Sequence, residues 1–256
     1  MKKQKQHLDS ETKVTAFWGT GASGATAFAL EQARQLALAG RKTLLIDHDL
    51  VDPSLMVYLA IDNYPSGLQA GLRLASQQRL TPANVNDLLV PSDDFSNLSF
   101  LAGLPTEGRF RSLELDSVEA FLEILRSWFD ELVIDMGGLI TESLNPHAFG
   151  LQKQIISLSD YVYGVFRADP EGIAKLFWLP VQGELVANNY RPGSLGSGGK
   201  KGLKSVIADM TGSPLAGIAE DDDELVLAIS KALAVGQVSK RSQISQLVAS
   251  LVENRL

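Results

Sequence analysis

The run Gly19-Thr20-Gly21-Ala22-Ser23-Gly24-Ala25-Thr26-Ala27 has the residue types and spacing of a loop that holds phosphate. In the template G-x-x-x-x-G-K-[ST], glycines let backbone N–H groups close around phosphate. The lysine supplies charge and the hydroxyl reaches Mg2+. Gly19, Gly24 and Thr26 fall in register, and Ala25 stands where the lysine belongs. The chemistry on offer is phosphate binding by main-chain amides with the usual cation removed. The same letters, Gly19-x-Gly21-x-x-Gly24, also satisfy the dinucleotide fingerprint, with Asp47 as its acidic residue about 20 positions on. Both loops present N–H groups and a helix N-terminus to phosphate, so residues further along the chain must decide between them.

Two acidic stretches lie downstream. One is Asp47-His48-Asp49-Leu50-Val51-Asp52, the other Val133-Ile134-Asp135-Met136-Gly137-Gly138. A dinucleotide fold needs one acid, to hold a ribose. A metal-dependent nucleoside triphosphatase needs more: a carboxylate that supports Mg2+ through water, another that orients the attacking water, and a glycine at the γ-phosphate. The bland alternative is that these aspartates cap helices or turn the chain. His48, between two acids, reads as a packed or surface histidine. No Tyr-x-x-x-Lys is present; Tyr163 is followed four residues on by Arg167.

The elements that must position these groups are legible as short apolar runs alternating with helical spacing. Val14–Trp18, Thr43–Ile46, Leu98–Leu101, Leu132–Ile134, Val162–Phe166, Leu185–Ala187 and Leu215–Ile218 read as strands. Ala25–Ala39 reads as a helix stopped by Gly40, Ser117–Trp128 as another, and a third lies near Leu203–Met210. Leu55–Leu80 reads as helical with a turn at Asp62–Gly67, and Gly193–Gly202 as a flexible loop. Ile244, Leu247, Val248, Leu251 and Val252 keep the spacing of a helix packed on the domain; a membrane-surface helix would carry more basic residues. The fold class is α/β: a doubly wound, mostly parallel seven-stranded sheet with helices on both faces. Its functional groups belong at the carboxyl ends of the strands, where Gly19, Asp47, Asp135, Arg167 and Asn188 all fall. Residues 1–12 read as a disordered tail and 13–256 as one domain.

Composition removes several function classes. The absence of cysteine excludes a disulfide framework, a thiolate nucleophile and a cysteine metal site. Three scattered histidines make no zinc constellation. A net charge of −7 opposes broad nucleic-acid binding, so no specific nucleic acid is expected. The basic N-terminus lacks the apolar segment of a signal peptide, and no apolar run reaches membrane-spanning length. The expected location is the cytoplasm, with the inner face of the membrane reached through partners.

Taken in order, these motifs resemble the ParA/MinD group of deviant-Walker ATPases, and within it the CpaE/TadZ-like proteins of Flp (Tad) pilus assembly. The resemblance rests on Trp18-Gly-Thr-Gly-Ala-Ser-Gly24, similar to the family's loop, and on Leu44-Leu-Ile-Asp47-His-Asp49, Leu101-Ala-Gly-Leu-Pro105, Val133-Ile-Asp135, Arg167-Ala-Asp-Pro170 and Leu215-Ala-Gly-Ile218. It spans roughly residues 13–252 and implies ATP and Mg2+ as cofactors and a face-to-face homodimer. It also implies protein partners in a pilus, secretion or division apparatus. Carried over position by position, Gly21–Thr26 wrap the phosphates, and Thr26, Asp47 and Asp135 serve the metal. Asp49, with Asp47 beside it, positions water. Gly138 is the sensor, and Asn188 reads the adenine edge.

The departure from the family lies in the loop. The family's ordinary lysine is Ala25 here, and its second, signature lysine is Thr20. A charge-assisted hydrogen bond contributes about 1.5–3 kcal/mol, so the loss weakens ATP binding by about tenfold to a hundredfold. Losing transition-state charge costs more, on the order of a thousandfold to a hundred-thousandfold where an arginine finger is missing. Lys200, Lys201, Arg109, Arg167 and Arg191 are candidate substitutes. Three functions stay open: a nucleotide-dependent positioning factor with weak ATP binding, a non-enzymatic scaffold, and a dinucleotide-binding oxidoreductase.

Overall fold

The computed structural model describes residues 11–65, 67–104, 115–194 and 198–255. The chain runs β1 (Lys13–Gly19), α1 (Ala25–Leu38), β2 (Thr43–Asp47), α2 (Leu55–Tyr58), α3 (Gly67–Ser76), α4 (Pro82–Val85) and a 3-10 turn (Asn86–Leu88). It continues through β3 (Val90–Pro91), β4 (Leu98–Leu101), α5 (Leu115–Arg126), β5 (Glu131–Gly138), α6 (Pro146–Leu158), β6 (Tyr161–Arg167) and α7 (Pro170–Leu176). It closes with β7 (Glu184–Tyr190), α8 (Gly199–Thr211), β8 (Leu215–Glu220), α9 (Asp223–Ser230), α10 (Val235–Val238) and α11 (Gln243–Glu253).

All eight strands form one sheet in the order β3-β4-β2-β5-β1-β6-β7-β8. This corrects the expected count of seven. The additional strand, β3, is two residues long and pairs antiparallel with β4, while the other pairings are parallel. A proline at a sheet edge removes a ladder donor and keeps such a strand short. In the dinucleotide order 3-2-1-4-5-6 the first two strands are neighbours. Here β5 lies between β1 and β2, so the dinucleotide topology is not the one this chain adopts.

The sheet's two faces carry two cores. Val14, Ala16 and Trp18 pack with residues of α3, α5 and α6 on one side. Phe17, Leu45 and Val133 pack with α1 and α11 on the other. Apolar residues facing both ways along β1 are the direct consequence of burial on both faces. The inner end of β1 is closed by Thr12, whose hydroxyl donates to the carbonyls of Arg126 (2.7 Å) and Phe129 (2.8 Å). Residues 1–10 of the expected tail lie outside the described residues, as does Arg109.

Candidate phosphate and metal site

The glycine loop leaves β1 at Gly19 and enters α1 at Ala25. Left-handed φ angles recur at Gly21 (77°), Ala22 (47°) and Gly24 (91°). Alanine rarely adopts such an angle, so the loop holds a conformation that its surroundings must impose. Gly19 is required by contact: a Cβ there would stand 2.4 Å from the Ser23 hydroxyl. Thr20 N–H donates to the Val165 carbonyl at 3.1 Å, which ties the loop to β6. The N-cap of α1 is Gly24, without a side-chain cap or an acid in the first turn. The first-turn amides therefore remain available to an anion.

Neither lysine position offers a cation. Ala25 is buried at 7 % exposure. Thr20 is equally buried, and its hydroxyl has no partner among the described residues. Three of the candidate substitutes, Arg167, Arg191 and Lys200, are engaged elsewhere. Arg167 pairs with Asp169 in a close contact, and Arg191 pairs with Asp221 at 2.6 Å. Lys200 pairs with Glu220 at 2.7 Å and lies over the Tyr190 ring. Lys200 and Lys201 were expected in a flexible loop; both lie in the first turn of α8, whose Leu203 and Ile207 are buried.

Asp47, Asp49 and Asp135 lie close to one another, with Thr26 beside Asp135. The Thr26 hydroxyl lies beside Asp135 and favours its charged form, and Gly137 N–H donates to the same carboxylate at 3.1 Å. Asp47 and Asp135 sit in register across β2 and β5. Both Asp47 oxygens accept backbone amides, from Asp49 and Leu55, each at 3.1 Å. Asp49 accepts from Val51 (2.9 Å) and Asp52 (3.0 Å). Its other oxygen lies where a Cβ on Gly137 would be 1.9 Å away, so a glycine is required there. Gly138 stands opposite Gly19 across β1 and β5, with open space where a Cβ would be.

All three acids hold their protons more tightly than free aspartate. Burial pushes Asp135 up to about 6, against the Thr26 hydroxyl and the Gly137 N–H, which act the other way. Burial, then the neighbouring Asp135, raises Asp47 well above the carboxylate range. Burial also raises Asp49. His48 is buried, its ring nitrogens have no partner among the described residues, and burial lowers its pKa to about 4. It is a neutral packed residue held by a backbone bond to the Asp135 carbonyl at 2.7 Å.

Among the described residues, no group of three or more His, Cys, Asp or Glu side chains is arranged to hold a metal ion directly. A hydroxyl beside a buried carboxylate at the head of a helix suits a different arrangement. Mg2+ keeps several waters and takes few protein ligands. Thr26 and Asp135 fit that chemistry, and the uncapped α1 terminus fits a phosphate chain.

Two side-chain amides shape this site. Asn188 Nδ2 donates to the Ser23 carbonyl at 2.9 Å. Gln152 on α6, 1 % exposed, donates to the carbonyls of Gly138 (2.8 Å) and Met136 (3.3 Å) and accepts from Ile140 N–H (2.8 Å). It therefore fixes the segment after Asp135. Sequence reading missed Gln152 because it missed α6. Its signal was Asn145-Pro146, where the Asn145 side chain caps Ala148 N–H and proline opens the helix.

No family model matches the chain. It is 25 % identical over 228 residues to the septum site-determining protein MinD of Helicobacter pylori, a match that covers 85 % of this chain and 81 % of that one. Among solved structures it is similar to a ParA family ATPase from Chlorobium tepidum, at TM-score 0.77 and 17 % identity, covering 95 % of this chain and 99 % of that one. It is also similar to the septum site-determining protein MinD of Pyrococcus horikoshii complexed with Mg-ADP, at TM-score 0.71 and 16 % identity, covering 95 % of each chain.

Proposed function

We propose that this chain, which has the fold of ParA and MinD ATPases, is a nucleotide-dependent positioning factor that binds Mg-ATP weakly and turns it over slowly or not at all. The observation that carries the reading is the joint presence of two features: the uncapped glycine loop and the buried Asp135 carboxylate beside the Thr26 hydroxyl. Main-chain amides of Gly21–Ala27 hold the phosphates, and Thr26 with Asp135 holds the metal. Asp49 orients water, with Asp47 supporting the turn that carries it. Bound Mg2+ neutralises charge on the phosphate oxygens. The chain itself supplies binding and orientation, but no lysine at Ala25 or Thr20.

A homodimer and protein partners belong to this reading. The target is a pilus, secretion or division apparatus, the pilus role being supported by the CpaE-like motifs around Trp18 and Arg167. Among the described residues no helix is long and apolar enough to cross a membrane. A second reading, a scaffold without turnover, is favoured by the alanine and threonine at the two lysine positions.

A thermal-shift titration with Mg-ATP, paired with a phosphate-release assay, tests both. Ligand at 100 times its Kd stabilises by about 2.7 kcal/mol. For a domain of this size that is a rise of about 5–10 °C. No shift at millimolar Mg-ATP would sink the nucleotide reading. Release of phosphate at the rate of a lysine-bearing relative would sink the scaffold reading and the slow turnover alike.

A further inference from the structure

Asn188 was expected to read a nucleobase, and its surroundings give it a different task. It sits near the end of β7, two strands from β1, with its backbone fixed by Ala168 N–H donating to its carbonyl at 2.7 Å. The side chain is 1 % exposed. Its Nδ2 reaches the phosphate loop and donates to the Ser23 carbonyl. It passes so close to Gly24 that a Cβ there would stand 2.7 Å from Nδ2. Its Oδ1 is buried and has no partner among the described residues.

We propose that Asn188 is a positioning residue for the phosphate loop, holding the Ser23–Gly24 peptide in the orientation that phosphate binding needs. The peptide unit is planar, so fixing the Ser23 carbonyl toward Asn188 turns the Gly24 N–H the opposite way. Of the residues on either side of Ser23, Gly24 adopts its left-handed φ freely, but Ala22 holds one at a cost that surrounding contacts must offset. A loop with a lysine draws phosphate by charge as well as by amides. This loop has only the amides, so its affinity depends on their being aimed before the ligand arrives. The assignment rests on the reading that the loop binds phosphate.

Two variants test it: Asn188→Asp, which keeps the size and sets an oxygen against the Ser23 carbonyl, and Asn188→Ala, which removes the contact. Calorimetry uses three probes, each with Mg2+: inorganic tripolyphosphate, ATP and GTP. Both variants are expected to bind all three about threefold to tenfold more weakly, the worth of one hydrogen bond. Amide hydrogen exchange of the free protein is expected to quicken across residues 20–27 and stay unchanged in β4 and β5. Weakened ATP binding with tripolyphosphate binding intact would overturn the assignment and make Asn188 a base reader. Unchanged exchange in the loop would overturn it too. If the native chain binds none of the probes, the nucleotide reading falls, and the exchange comparison alone upholds or overturns the role of Asn188.

Discussion

Replacing Ala25 with lysine restores the missing cation where the structure can receive it. Ala25 opens α1, and its Cβ lies 3.1 Å from where a Cβ on Gly19 would stand, so its side chain starts at the base of the loop. Two effects oppose each other in the free protein. A cation at a helix N-terminus is unfavourable by about 0.3–1 kcal/mol. Against this, Asp47 and Asp135 are buried carboxylates on the neighbouring strands β2 and β5, and both would welcome a positive charge. With Mg-ATP present the ammonium gains a charge-assisted hydrogen bond of about 1.5–3 kcal/mol, or roughly tenfold to a hundredfold in affinity. Isothermal titration of native chain, Ala25→Lys and Ala25→Met at pH 7.5 separates charge from bulk. The lysine variant should bind tighter by that factor and the methionine variant should not. A folded lysine variant with unchanged affinity would refute the reasoning, as would an equal gain from methionine.

Two further outcomes are expected of the buried site. Asp135 has its pKa raised to about 6, so the fold favours its neutral form. Its contribution to stability is fully present below about pH 4 and is lost as pH rises through about 6. Asp135→Asn should therefore gain stability relative to the native chain at pH 7.5 and gain little at pH 4, on denaturant titration at both values. A difference independent of pH would dismiss the burial argument. Gln152→Leu removes three hydrogen bonds to the segment after Asp135 and leaves buried main-chain groups unpaired. Roughly 2–4 kcal/mol of stability should be lost in urea unfolding, with a larger proportional loss of Mg-ATP affinity than a core Ile155→Ala control of similar stability. Equal affinity losses in the two would show that Gln152 acts through stability alone.

Much of this architecture was readable because burial on both faces writes a plain pattern. Each of the seven expected strands is present as β1, β2, β4, β5, β6, β7 or β8, since uninterrupted apolar runs bounded by polar residues leave few alternatives. β3 escaped because two residues, one a proline, carry no periodicity. The helical reading of Leu55–Leu80 with a turn at Asp62–Gly67 corresponds to α2 and α3, although α2 ends early, at Tyr58, and the irregular stretch between them starts at 59. Glycines made 193–202 look like a loop, but burial of Leu203 and Ile207 draws helix α8 back to Gly199. At the site, Asp47 and Asp135 were legible because acids that end buried strands stand out. What could not be read was which groups satisfy them. That the second Asp47 oxygen accepts from Leu55 N–H, and that Asn188 and Gln152 bond main chain, depends on contacts between residues 8 to 165 positions apart.

The energetic state of the acids bears on which of the two readings is right. A buried carboxylate without a basic partner is a liability to the free fold, and this chain carries two that are almost fully buried, with Asp49 beside them. Their hydrogen bonds come from backbone amides, which lessen the cost of desolvation without supplying charge. An inert scaffold would be served as well by asparagine at position 135, which keeps an oxygen to accept from Gly137 N–H and removes the buried charge. Titratable groups held in unfavourable surroundings are a mark of sites that do something. A divalent cation beside Thr26 would offset the charge of Asp135, which no lysine at position 25 opposes. Mg2+ should then stabilise the chain at pH 7.5, above the raised pKa of Asp135, and lose that effect near pH 4.5, where Asp135 is neutral. Stabilisation that persists unchanged at the lower pH would place the ion elsewhere.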